Sequence, residues 1–252
     1  MQSWIRASIC LALVAAGCAA TTNPDIDPRA DAALRRMSST LAKAKWLKVH
    51  SVATMEQRTD SGQLAQFSRD STVVVGRPDQ MQADVRRGQQ SHRIWHQGKE
   101  LTILDVRQNT YATIETPQPL DDMFDFLAEQ HGLVIPLDDL LYPNPYEALT
   151  ERVASGAYVD RQDIGGRMCD HLLFTQDNVD WQVWIDTAEP AVPRKVVITY
   201  KEDPDRPQYE AVLDQWQFDP PADPAQFTPQ VPTAARRVEI ADLVGSNAGE
   251  KK

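Results

Sequence analysis

VDWQVWID, Val179–Asp186, is the stretch that decides the fold class. Val179, Trp181, Val183 and Ile185 alternate with Asp180, Gln182, Trp184 and Asp186. A period of two belongs to a strand with one face turned to a core; a helix would repeat its apolar residues three and four apart. Downstream, PRKVVITYKE (193–202) and QYEAVLDQWQF (208–218) continue the pattern across the Pro-rich turn DPDRP. Upstream, GAYVDRQDIGGRMCDHLLFTQ (156–176) folds back on itself through DIGG. Short connections between alternating runs predict an antiparallel meander.

A second meander precedes it. WLKVHSVATM (46–55), AQFSRDSTVVV (65–75), MQADVRR (81–87), SHRIWH (91–96) and the pair HQGKELTILD–VRQNTYATIE (96–115) are separated by turn material such as RTDSGQ and GRPDQ. Helical periodicity breaks in twice. Asp27-Pro28 is a helix start, with Asp as N-cap acceptor and Pro at the first helical position. Ala30, Leu34, Met37, Leu41 and Ala44 then form one apolar stripe, predicting a helix to about Lys45. Between the meanders, PLDDMFDFLAEQHG (119–132) places Leu120, Met123, Phe124 and Leu127 on one face, with acids in the first turn and Gly132 as the stop. PLDDLLYPNPYEALTERV (136–153) predicts further short helices broken by Pro143 and Pro145.

Composition narrows the function classes. The chain has 252 residues and a net charge of −10, and its Lys and Arg are scattered, so a nucleic-acid partner is set aside. The tandem pairs Arg35-Arg36, Arg86-Arg87 and Arg236-Arg237 read as solvated surface. No Gly-rich phosphate loop, HExxH, CxxC or nucleophile elbow occurs, so no catalytic residues, metal or cofactor are assigned. His92 and His96 fall on a predicted strand, about 13 Å apart at ~3.3 Å per residue, too far to share an ion. Asp121-Asp122 and Asp138-Asp139 sit at helix starts and read as partners of the helix dipole. Cys169, alone in the body of the chain, reads as a small buried apolar residue. Most of the six tryptophans and six tyrosines are assigned to the core.

The N-terminus carries an address. Arg6 precedes the apolar run Ala7–Ala16 (ASICLALVAA). That run is too short for a transmembrane span and suits the h-region of a secretory signal peptide. Ala15-Ala16-Gly17-Cys18 resembles the bacterial lipobox, which implies a diacylglycerol on Cys18. Ala19 is not the Asp associated with inner-membrane retention. The expectation is an outer-membrane lipoprotein of a Gram-negative cell facing the periplasm; the alternative is plain secretion after Ala20 as a soluble periplasmic protein. Residues 1–17 are then signal peptide, 18–26 a tether, 27–243 one domain and 244–252 a disordered tail.

The order helix, meander, helical insertion, meander resembles the lipoprotein-carrier fold of LolA and LolB. VVVGRPDQMQADV (73–85) followed by HQGKELTILDVRQNTYAT (96–113) is similar to that superfamily's Arg-Pro strand entry and Gly-Lys hairpin. DFLAEQHGLVIPLDDLLYPNPYEAL (125–149) and VDWQVWID with PRKVVITYK resemble an uncharacterised family of predicted periplasmic proteins in the same superfamily. The resemblance implies an α+β fold: an incomplete antiparallel β-barrel of about 10–11 strands, its concave side covered by the N-terminal helix and the central insertion. It also implies an apolar hollow lined by Val179, Trp181, Val183 and Ile185 and lidded by Met123, Phe124 and Leu127. Those side chains either leave room for a guest or pack as a closed core. Lipoprotein shuttling is not carried over, because no counterpart of the carrier's ligand-gripping Arg is identifiable and an anchored protein does not move freely between membranes. The expected function is non-enzymatic binding of a lipid, acyl chain or other apolar ligand; the alternative is an envelope-stress sensor or adaptor holding a protein partner on the same fold.

Overall fold

The computed structural model describes residues 25–221 and 223–245. The expected signal peptide, Cys18 and the tail beyond 245 lie outside the described residues, as does all of the tether except Asp25 and Ile26. Ile26 is buried and bridges Gly156 in parallel. Among the described residues, twelve strands form one open sheet: β1 Trp46–Arg58, β2 Leu64–Gly76, β3 Gln80–Arg87, β4 Gln90–Gln97, β5 Glu100–Asp105, β6 Thr110–Glu115, β7 Ser155–Ile164, β8 Arg167–Thr175, β9 Val179–Asp186, β10 Pro193–Tyr200, β11 Gln208–Phe218 and β12 Arg236–Arg237. Their order is β12-β6-β5-β4-β3-β2-β1-β11-β10-β9-β8-β7. β1 joins the two meanders by pairing antiparallel with both β2 and β11. β12 and β7 are the two edges, so the sheet curls without closing. This is the expected half-barrel.

β12 has no counterpart in the sequence reading. It pairs in parallel with β6, Arg236 opposite Thr110. Two residues are too short to show a period, so only the returning chain reveals it. That return runs through the 3₁₀ turn Pro224–Phe227, which sets Phe227 against Trp46, the rings tilted at 44° with centroids 5.1 Å apart. A helix, Ile240–Gly245, then follows where the disordered tail was expected to begin at 244.

Helix α1 spans Pro28–Lys43; Asp27 accepts the Arg29 amide at 2.8 Å. It stops just short of Lys45, because Ala44 turns extended to start β1. Its stripe of Ala30, Leu34, Met37 and Leu41 packs on the inner face of β1 and β8–β11, with Leu172, Phe174, Trp181, Val183 and Ile185. Helix α2 spans Leu120–His131 and ends at Gly132 (φ 64), whose amide reaches the Ala128 carbonyl at 3.1 Å. Leu120, Met123, Phe124 and Leu127 make a second apolar cluster on the same sheet face with Leu47, Val75, Met81 and Leu101. The 3₁₀ turn Asp138–Leu141 and helix α3, Pro145–Thr150, complete the insertion.

Polar contacts hold the helices in place. Arg35 and Arg36, read from the sequence as solvated surface, are structural. Arg36 pairs with buried Asp170 at 3.2 Å and donates to the Asp186 carbonyl, while Arg35 joins Asp31 to Tyr146 of α3. Arg77 donates from one guanidinium nitrogen to the carbonyls of Leu141 and Tyr142 and from another to that of Leu41. It thereby ties the insertion to the end of α1.

Candidate functional site

A cavity of about 100 Å³ remains between the sheet and its helical cover. Its floor is the inner face of β9 and β10: Val179, Trp181, Val183, Val196 and Ile198. Alternation puts these five on one side, since Val196 pairs with Val183 and Ile198 with Trp181. The roof is Met37 of α1, Leu149 of α3 and the irregular stretch Leu137–Leu140, with Gln176 at the rim. Leu137 has φ 70. A bulky side chain in the left-handed region is strained and persists only where its surroundings enforce it.

Of the seven residues expected to line the hollow, three do so: Val179, Trp181 and Val183. Ile185, one step along the same face, is fully buried in the cluster that contains α1. Met123, Phe124 and Leu127 are equally buried but belong to the second cluster, away from the cavity lining. Val196 and Ile198 were legible in the alternation of KVVITY, and Met37 in the stripe of α1. Leu137, Asp139 and Leu140 carry no period, so nothing local points to them.

The polar groups around the cavity are few. Trp181 is 7% exposed, and its Nε1 has no hydrogen-bond partner among the described residues; the ring stacks on Phe174 with centroids 4.1 Å apart. Asp139 lines the wall. Burial raises its carboxyl above the usual range, Arg152 opposes that, and Asp125 and Glu151 reinforce it. Burial, then the neighbouring Asp139, push Asp138 up to about 7. Tyr142 donates to Asp125 at 3.0 Å; burial and the acids around it hold its hydroxyl above the ordinary phenol range. Asp138 and Asp139 do occupy the first turn of a helix, as expected, but their burial sets their chemistry more than the short helix does.

The remaining sequence candidates sit elsewhere. His92 and His96 lie on β4, His92 3.7 Å from Asp105 and His96 3.1 Å from Thr116. Burial lowers both imidazoles below their ordinary range. Cys169 is fully buried on the opposite sheet face with Trp184 and Val197. Burial pushes its thiol up to about 11, which keeps it protonated and unreactive at neutral pH.

Residues 30–241 match the family of predicted periplasmic proteins designated DUF2092, and the chain belongs to that family. No curated protein matches it. Among solved structures it is similar to LprF from Mycobacterium bovis, at 15% identity over 83% of this chain and 98% of that one, TM-score 0.47. It is also similar to the lipoprotein LppX of Mycobacterium tuberculosis, at 12% identity over 77% and 97%, TM-score 0.47. An uncharacterized conserved protein of Thermus thermophilus is similar at 10% identity over 84% and 99%, TM-score 0.48.

Proposed function

We propose that this member of the family is a non-enzymatic, periplasm-facing binding protein that takes a single apolar chain, from a lipid or acyl compound, into the β9–β10 cavity. The observation that carries the reading is the cavity itself, apolar in its floor and most of its roof. A water needs about 10–15 Å³ by this measure, so the space suits one slim chain and not a multi-chain lipid. An indole N–H, a carboxamide and a carboxyl are the polar groups at hand; none is a nucleophile beside a base. An adaptor surface has less support. Val52 and Val212 pair across β1 and β11 on the face away from α1 and are partly exposed. The other large exposed apolar residues, Leu64, Val106, Val134, Val159, Met168 and Leu173, are spread over β2, β7, β8 and the connections, and the valine pair alone falls far short of the ~1,200 Å² that a stable protein interface buries.

A fluorescent acyl probe titrated into the full-length protein tests the reading. It should bind and quench tryptophan emission, and Val183→Trp should abolish binding while far-UV circular dichroism stays unchanged. A folded wild type that takes up no probe, with Val183→Trp melting several degrees lower, would instead mean a closed core. In that case overpacking costs about 1–3 kcal/mol.

The proposal extends to the anchor. No described helix is long and apolar enough to cross a membrane, and Cys18 after its small-residue run is the attachment point we propose, with the outer membrane as destination. Stable attachment needs more than one buried acyl chain, each CH₂ adding about 0.8 kcal/mol. Cys18→Ser should abolish acylation and leave the precursor uncleaved by the lipoprotein peptidase; membrane attachment of that variant would refute the assignment.

A further inference from the structure

We propose that the cavity selects a chain ending in an uncharged head with a hydrogen-bond acceptor, an amide or ester carbonyl, and rejects the carboxylate of a free fatty acid. The inference rests on the binding function proposed above and adds the chemistry of the head.

Trp181 supplies the first reason. Its side chain is more than nine-tenths buried in the cavity floor, yet Nε1 has no acceptor among the described residues. A buried N–H without an acceptor is costly, and native structures rarely leave one unpaired. A carbonyl oxygen in the cavity would satisfy it. Gln176, also in the lining, can both donate and accept.

The charges near the cavity supply the second. Asp139 is in the lining itself. Asp125, Asp138 and Glu151 act around it, and Arg152 is the cation acting on Asp139. Arg77 keeps its positive charge but is not in the lining; its guanidinium is held by the carbonyls of Leu141, Tyr142 and Leu41. Lys201, beside Gln176, pairs with Asp180 at 3.2 Å and donates to the Gln176 carbonyl. The surplus is therefore negative. A carboxylate head would lose its water next to like charges, and both effects disfavour the ionised form. An alkylammonium would meet the acids favourably. It offers Trp181 no acceptor, however, and would be stripped of water against valine and isoleucine. A neutral carbonyl avoids both penalties.

The experiment is competition for the bound acyl probe at about pH 8 by octanamide, octanoate and octylamine, which share one chain and differ in the head. Octanamide should displace the probe at a concentration at least about tenfold below either of the others. Asp139→Asn should improve octanoate severalfold relative to octanamide. Trp181→Phe should weaken octanamide and narrow its lead; if that variant fails to fold, Asp139→Asn alone decides. Octanoate or octylamine competing as well as octanamide, or Asp139→Asn leaving octanoate unimproved, overturns the head-group assignment while probe binding stands. Absence of any probe binding removes the binding function, and this inference with it.

Discussion

Two regions of the same sheet face meet helices and end differently. Over β1–β5, α2 lowers Leu120, Met123, Phe124 and Leu127 onto Leu47, Val75, Met81 and Leu101, and all eight are buried. Over β9 and β10 the cover is uneven. α1 contributes Met37 and α3 contributes Leu149, and the rest of the roof is the strained Leu137 with Asp139 and Leu140 of the four-residue 3₁₀ turn that follows it. A regular helix brings a large side chain down every third or fourth residue and closes the gap beneath it. A single 3₁₀ turn is too short to repeat that spacing, and the cavity lies beneath it. The two covers differ in one further way: the cavity's otherwise apolar roof includes a half-buried carboxyl, Asp139.

Breaking the closed half should have the largest effect. Phe124→Ala should cost about 3–5 kcal/mol in urea unfolding, the usual loss for an aromatic removed from a packed core. Probe affinity of the folded fraction should stay as it was, because Phe124 is not in the cavity wall. A variant as stable as the wild type would mean that this half is loosely packed too.

The acids give the next effect, with opposite sign. Asp138 has a folded-state pKa of about 7 against an ordinary value of 3.8. The folded protein therefore holds more protons than the unfolded chain between those values, and stability falls as pH rises through that window. Asp138→Asn should remove the penalty, stabilising the protein at about pH 8 by at most ~4 kcal/mol and by almost nothing at about pH 4. The charges of Asp139 and Asp125 both raise the Asp138 carboxyl, so removing either should shift the midpoint of this profile. Denaturant midpoints across the pH range check it; a gain that persists at about pH 4 would point to packing and not charge.

The smallest effect belongs to the opposite sheet face. Cys169→Ala should cost about 1 kcal/mol and leave probe binding intact. Thiol reagents should label Cys169 only as the protein unfolds, given its full burial.

Much of this architecture was legible in the sequence. The stretch 179–186 is a strand at both of its predicted ends, and α2 stops at the glycine that marks its end. Both follow from local rules: side-chain alternation, helical periodicity, and the tolerance of glycine for positive φ. β12 was not legible, since a two-residue strand exists only because the chain crosses the sheet and returns to an unpaired edge. The structural role of Arg36 was hidden for a similar reason, its partner Asp170 being 134 residues away.

The candidate site divides along the same line. Alternation alone put Val179, Trp181, Val183 and Ile185 on one face, because successive side chains of a strand point to opposite sides whatever lies above them. Which of the four meets a void and which a helix was decided by tertiary structure. The void is what remains after side chains from β9, β10, α1, α3 and the insertion have each taken their volume. No segment records that difference in its own sequence. The unpartnered indole of Trp181 and the raised carboxyls of Asp138 and Asp139 have the same origin: burial by distant parts of the chain changes the chemistry of groups whose identity is local.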